Sequence, residues 1–319
     1  MRKALLSCAL AALVTPVLAT GQDLNVTRPV AELERMLGEA PMRIVTAEIS
    51  RPKARGDITL KADIAFGDEP PLRVKLRKSL PGADDFNNVP HYDLAAYELQ
   101  KVFVDPPEFL VPPTALRFVP IADFRRYTDD VRPTFRGSDD VLAVVQYWLQ
   151  EVTVVADVFD PARFASDPVY ARHIGQLNVL TYLIEHKDSN VGNFLISRAE
   201  KGPRVFSIDH GVAFGSPDSD RGELWRNLRV ERLPEDTIAR LRALTREELD
   251  ARLGVLAQWR LVDGRFVAER PGANLARGRG VRVEDGVVQM GLSAREIGRL
   301  WQRREQLLRS IDEGKVSVW

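Results

Sequence analysis

The sequence predicts an α+β protein in two lobes: an antiparallel sheet with one helix, then a mostly helical half. Three observations carry that prediction. Residues 57–66 (DITLKADIAF) and 72–79 (LRVKLRKS) alternate apolar and polar side chains, the period of half-buried strands, and GDEPP turns the chain between them. Residues 141–149 (VLAVVQYWL) form a continuous apolar run of strand length. After Asp160 the apolar residues fall into helical spacing. Strands grouped before helices segregate into α+β layers, and the seam falls near Gln150.

The elements follow in order. Arg2 and Lys3 precede an apolar run from Ala4 to Val14, and Val17-Leu18-Ala19 supplies small residues for a signal peptidase. Residues 1–19 therefore read as a secretory signal peptide, too short to span a bilayer. Its removal takes away Cys8, the single cysteine, so the exported chain has no disulfide to form. Residues 20–150 form the first lobe. Within it, residues 29–38 read as a short helix and the hairpin of 57–79 follows. HYDLAAYELQKVF then places Leu94, Ala95, Leu99, Val102 and Phe103 on one helical face. FLVPPTALRFVP reads as an edge strand entered through prolines. Residues 121–140 read as loop.

The second lobe, 151–319, begins with a helix carrying Ile174, Leu177, Leu180 and Ile184, and then two short strands, FLIS and VFSI. From Arg221 to Trp319 the pattern reads as mostly helical, a C-terminal extension broken near Gly264 and by RPGANLARGRG. No later stretch is apolar enough to span a membrane. Lys+Arg and Asp+Glu balance at 45 each, so no excess of positive charge marks a nucleic-acid or polybasic membrane surface.

The stretch HKDSNVGNFLISRAEKGPRVFSIDHG, residues 186–211, holds the chemistry. Asp188 stands on a loop after a helix, Asn193 follows five residues on, and Asp209 ends the second strand beside Gly211. Phosphoryl transfer from a nucleotide needs divalent metal to neutralise phosphate charge, oxygen ligands to hold it, and a carboxylate to orient the acceptor hydroxyl and take its proton. Taken singly, each of these residues is a common cap or turn former. Their joint spacing favours the site.

His186-Lys187-Asp188 with Asn193 fits H-x-D-x-x-x-x-N, and Asp209-His210-Gly211 fits D-x-G. In this form the segment resembles the atypical protein-kinase-like branch of the Fam20 secreted kinases, the HipA-type kinases and the phosphatidylinositol kinases. DLAAYELQKVF…VPPTALR is similar to the branch's helix and following strand, so the resemblance covers roughly residues 57 to 215. It implies a two-lobed protein-kinase-like fold and a phosphotransferase using ATP with Mg2+ or Mn2+. It makes Asp188 the catalytic base, Asn193 and Asp209 the metal ligands, and Glu98 the helix glutamate that positions a phosphate-binding lysine. That lysine is Lys75 or Lys78. Strand parity sets Val74, Leu76 and Lys78 on one face, which favours Lys78 if the apolar face covers the adenine.

The sequence departs from the branch in two places. Only Arg55-Gly56 hints at a glycine-rich phosphate loop, and Ser189 stands where a basic residue often follows the aspartate. His186 and His210 read as structural, Tyr147 and Trp148 as core strand residues. Ser207 lacks the G-x-S-x-G context of a serine hydrolase. Three functions stay open: a kinase acting outside the cytoplasm on a protein, lipid or sugar hydroxyl, a non-catalytic pseudokinase, and nucleotidyl transfer to protein on the same fold.

Overall fold

A computed structural model describes residues 24–50, 58–85, 88–129, 131–216 and 225–319. The signal-like residues 1–19 and Arg55-Gly56 lie outside the described residues. The chain is a mixed α+β protein with an antiparallel N-terminal sheet and several helices.

Helix α1 (Val30–Gly38) leads into strands β1 (Met42–Ile49), β2 (Thr59–Phe66) and β3 (Leu72–Lys78). Helix α2 (Pro90–Gln100), strand β4 (Thr114–Pro120), the single turn α3 (Ile121–Phe124) and strand β5 (Asp140–Tyr147) follow. The strands form one five-stranded antiparallel sheet in the order β1-β2-β3-β5-β4. The hairpin read from alternation is β2–β3, with Ala62 opposite Val74, and the proline-led strand β4 is an edge. Burial alternates along β3: Val74 and Leu76 join the core between the sheet and α1, while Lys75 and Arg77 point to the other face.

That second face is covered by α2. The helix is buried at nearly every position, because it lies between the sheet and the larger hydrophobic cluster of the C-terminal half. Gln100 pins the loop after it. Its Oε1 accepts from Leu110 N–H and Val111 N–H at 2.7 and 2.8 Å, and its Nε2 donates to the Val111 carbonyl at 2.9 Å.

Past Tyr147 the chain forms β6 (Val152–Thr153), α4 (Pro161–Ser166), α5 (Pro168–Leu183), β7 (Phe194–Ser197) and β8 (Val205–Ser207). Helix α5 starts on proline, with the Asp167 carboxylate accepting from Val169 and Tyr170 N–H, which satisfies amides that the first turn leaves unpaired. Strands β6, β7 and β8 make a small three-stranded sheet.

The C-terminal part corrects the mostly helical expectation. After β9 (Arg232–Leu233), α6 (Glu235–Ala243) and α7 (Arg246–Leu253) come four strands: β10 (Ala257–Val262), β11 (Arg265–Glu269), β12 (Val281–Glu284) and β13 (Val287–Met290). They form an antiparallel sheet in the order β11-β10-β13-β12. Helix α8 (Ala294–Asp312) and β14 (Ser317–Val318) end the chain. Two Asp-Gly turns make the hairpins. Asp263 and Gly264 have φ of 46° and 78°, and Asp285 and Gly286 have 46° and 76°. Positive φ at both central residues gives the backbone twist that a two-residue hairpin needs. The sheet docks on β4 and β5: Phe266 stacks on Phe118 at 4.2 Å, and Arg265 pairs with the buried Asp140 at 2.6 Å.

Candidate active site

The loop between α5 and β7 is tied from several sides. Glu185 takes φ 51°, which turns the chain out of the helix. Lys187 N–H then donates to the Val212 carbonyl at 3.0 Å. The Asn190 side chain accepts from Gly192 N–H at 2.9 Å and donates to Asp188 Oδ1 at 2.8 Å. Asn193 Nδ2 donates to the Asp188 carbonyl at 2.6 Å, and the Asn193 carbonyl accepts from Ile208 N–H at 3.0 Å. Asp188 and Asn193 are thus held to each other, and Asn193 is held to the residue before Asp209.

Asp209 follows the β7–β8 hairpin with φ 63°, a left-handed conformation that an aspartate tolerates better than most residues. It turns the side chain back over the sheet. Its Oδ1 lies 3.4 Å from Lys75 Nζ and 3.3 Å from Arg77 Nη1. Lys75, Asn193 and Asp209 line one cleft of about 500 Å³. Thr59 of β2, the segment 146–154 and Leu195 supply further walls.

Lys78 is placed elsewhere. It shares the Val74 and Leu76 parity and is buried, and its carbonyl accepts from Asn88 Nδ2. The physical reason is that the apolar parity of β3 faces the core under α1. The cleft lies on the opposite face, the one that carries Lys75.

Glu98 does not reach either lysine. It pairs with Lys101 at 2.5 Å and approaches Arg252 at 3.9 Å. The acid that α2 turns toward the site is Asp93, which is fully buried. Asp93 Oδ2 accepts from Arg77 Nη2, and its Oδ1 accepts from His210 N–H at 3.1 Å. Arg77 therefore bridges Asp93 and Asp209. Neither Arg77 nor Asp93 belongs to a motif visible in the sequence. Residues 90–100 hold two acids, and no signal in the sequence separates them: only packing buries Asp93 while Glu98 stays partly exposed.

The two motif histidines pack inside as expected. Burial pushes His210 well below the usual imidazole value, with His186 and nearby cations adding to the shift. Burial likewise lowers His186, against the opposing pull of Asp188 and Asp209. The rings lie 5.1 Å apart. His210 Nε2 is 2.9 Å from Ser207 Oγ, and its Nδ1 is 3.8 Å from Asp93 Oδ1. Those residue types match a hydrolase triad. However, all three are fully buried, and 3.8 Å exceeds a hydrogen bond.

Among the described residues no group of three or more His, Cys, Asp or Glu side chains gathers for a metal. Asn193 and Asp209 nevertheless fit the ligand set of magnesium, which takes one or two protein oxygens and completes its shell with phosphate and water. With Nδ2 committed to Asp188, the Asn193 amide has Oδ1 to offer a cation. No helix among the described residues is long and apolar enough to cross a membrane. In comparisons with known proteins, no family model and no curated sequence matches the chain.

Proposed function

We propose that the protein is an ATP- and divalent-metal-dependent phosphotransferase of the atypical kinase-like class, acting outside the cytoplasm on a hydroxyl of a protein, lipid or sugar. In this reading the β1–β5 sheet with α2 is the first lobe, and α5, β6–β8 and the residues beyond form the second. One observation carries it: Lys75 and Asp209 meet Asn193 in a single cleft, and Asn193 holds the backbone of Asp188.

Each group has work suited to its chemistry. Bound divalent metal neutralises phosphate charge, and Asn193 and Asp209 are the residues to hold it. Lys75 supplies a cation for the α- and β-phosphates. Arg77, fixed by Asp93, sets the position of Asp209 from below. Asp188 orients the acceptor hydroxyl and takes its proton, while Asn190 and Asn193 fix its loop.

One observation favours a second reading, a non-catalytic nucleotide-binding module. Asp209 is already paired with two cations, and Asp188 Oδ1 is already bonded to Asn190. Labelled ATP with magnesium or manganese, and an extract of envelope proteins and lipids as acceptor, separates the two. For the kinase, wild type transfers the γ-phosphate and Asp188→Asn loses about 100- to 10,000-fold in rate while keeping nucleotide affinity. Binding without transfer under any condition supports the module. Label that moves only from the α-position indicates nucleotidyl transfer instead.

A further inference from the structure

Gln146 lies opposite Lys75 across β3 and β5 and lines the same cleft. It is 2% exposed. Its Nε2 donates to Thr114 Oγ1 at 2.9 Å, and the Thr114 hydroxyl donates to the Pro112 carbonyl at 2.7 Å.

The direction of this relay is forced. A carbonyl oxygen only accepts, so Thr114 commits its single proton to Pro112. The threonine oxygen must then accept from Gln146, and only the NH2 end of the amide can donate. Turning the amide over would set two acceptors against each other or leave the buried Pro112 carbonyl without its donor. The amide is therefore locked. Among the described residues nothing donates to Gln146 Oε1. The cleft wall carries a hydrogen-bond acceptor of fixed orientation, on a side chain otherwise buried, that a ligand's donor can meet.

We infer that Gln146 selects the base of the bound nucleotide, taking a 6-aminopurine over a 6-oxopurine. The inference rests on the nucleotide reading above. A 6-amino group donates to Oε1, whereas a 6-oxo group opposes acceptor to acceptor and takes the place of any water that met Oε1. Trp148, Val152, Leu195 and Ile208 also line the cleft and offer apolar faces to a base, beside polar residues such as Gln150, Glu151 and Thr153. The Gln146 amide adds to them an acceptor whose orientation the Thr114–Pro112 relay fixes. A buried polar group left without its partner corresponds to roughly a 10- to 100-fold loss in affinity.

Calorimetric titration of the full chain with magnesium and ATP, inosine triphosphate or GTP tests this. Inosine triphosphate carries the 6-oxo edge without the 2-amino group of guanine, so it isolates the atom in question. Wild type should bind ATP about 10- to 100-fold more tightly than inosine triphosphate. Gln146→Leu should narrow that ratio to within about threefold by weakening ATP. Thr114→Val leaves Gln146 in place but frees its amide to turn, so it should narrow the ratio by strengthening inosine triphosphate. Equal wild-type affinities, or a ratio unchanged in both variants, overturns the role of Gln146 and leaves the nucleotide site standing. Failure to bind any of the three overturns the nucleotide reading, and this inference with it.

Discussion

Arg77 and Asp93 form an ion pair with almost no solvent contact, side chains 2% and 0% exposed, joining β3 to α2 beside the cleft. Asp209 shares the same guanidinium from the solvent side. A buried charge stripped of its partner destabilises far more strongly than an exposed one, because the remaining ion has neither water nor a counter-charge. Arg77→Met, which leaves Asp93 buried without its cation, should therefore cost about 3–5 kcal/mol of unfolding free energy, and Asp93→Asn less, because Asp209 still faces the guanidinium. The double variant should cost much less than the two single effects added together. Urea denaturation of the four proteins reads the coupling. Additive effects would mean that the pair does not form.

Lys75 and Lys78 are separated by strand parity, so their substitutions should differ in kind. Lys75 is the cleft residue beside Asp209, and Lys75→Met should weaken metal-bound ATP by roughly tenfold or more, as expected for a charge-assisted contact. Lys78→Met acts in the buried layer and should change the unfolding midpoint while sparing ATP affinity. Glu98→Gln should alter neither, because its partners are Lys101 and Arg252. ATP titration beside thermal melts for each variant distinguishes the cases. Weaker binding in Lys78→Met, with Lys75→Met unaffected, would reverse the assignment.

The same two residues show what could be read from the sequence and what could not. Alternation gave the β2–β3 hairpin and set Val74, Leu76 and Lys78 on one face, both of which the structure contains. Which face looks at the cleft depends on where α1 and α2 pack, and that is a tertiary fact. Asp188, Asn193 and Asp209 lie within one short stretch, so their proximity was legible from spacing. Asp93 and Arg77 come from different elements, and only the packing of α2 joins them. The sheet of β10–β13 is hidden in the sequence for a different reason. Asp263-Gly264 and Asp285-Gly286 are hairpin signals flanked by alternating residues, but their arginines and glutamates also suit exposed helix.

Stability should fall as pH drops from 6.5 toward 5. Burial, with Arg282 nearby, pushes His91 down to about 3, and burial lowers His186 and His210 as well. The unfolded chain takes up protons below pH 6.5 that the folded chain refuses, so His91 removes up to about 1.4 kcal/mol per pH unit in that window, and His186 and His210 act in the same direction. Well above pH 6.5 all three are neutral in both states and the dependence ends. Carboxylates enter only at lower pH. For Glu108, burial works against ionisation but bonds from Arg172 and Gln176 outweigh it, so its contribution is lost as pH falls below the usual carboxylate range. Urea midpoints between pH 7.5 and 5 should show the slope, and His91→Gln should make it shallower. A flat profile would show that these histidines reach solvent.

Asp209 provides a test that reads metal and phosphate separately. Its carboxylate faces two cations, Lys75 at 3.4 Å and Arg77 at 3.3 Å. If the site holds nucleotide as proposed, this carboxylate without metal competes with the phosphates for both cations and repels them directly. With metal bound, it faces a divalent charge, and the repulsion becomes attraction. Asp209→Asn keeps the size of the side chain and removes the charge. Two opposite changes should follow: ATP affinity without metal should rise by roughly three- to tenfold, and the gain in affinity on adding magnesium should disappear. The fold should weaken, because Arg77 and Lys75 each lose a counter-charge. Fluorescent-nucleotide titrations with EDTA and with magnesium, on wild type and variant, read both arms. A magnesium effect of equal size in the two proteins would remove Asp209 from the metal site. An unchanged metal-free affinity would show that Lys75 and Arg77 do not meet the phosphates.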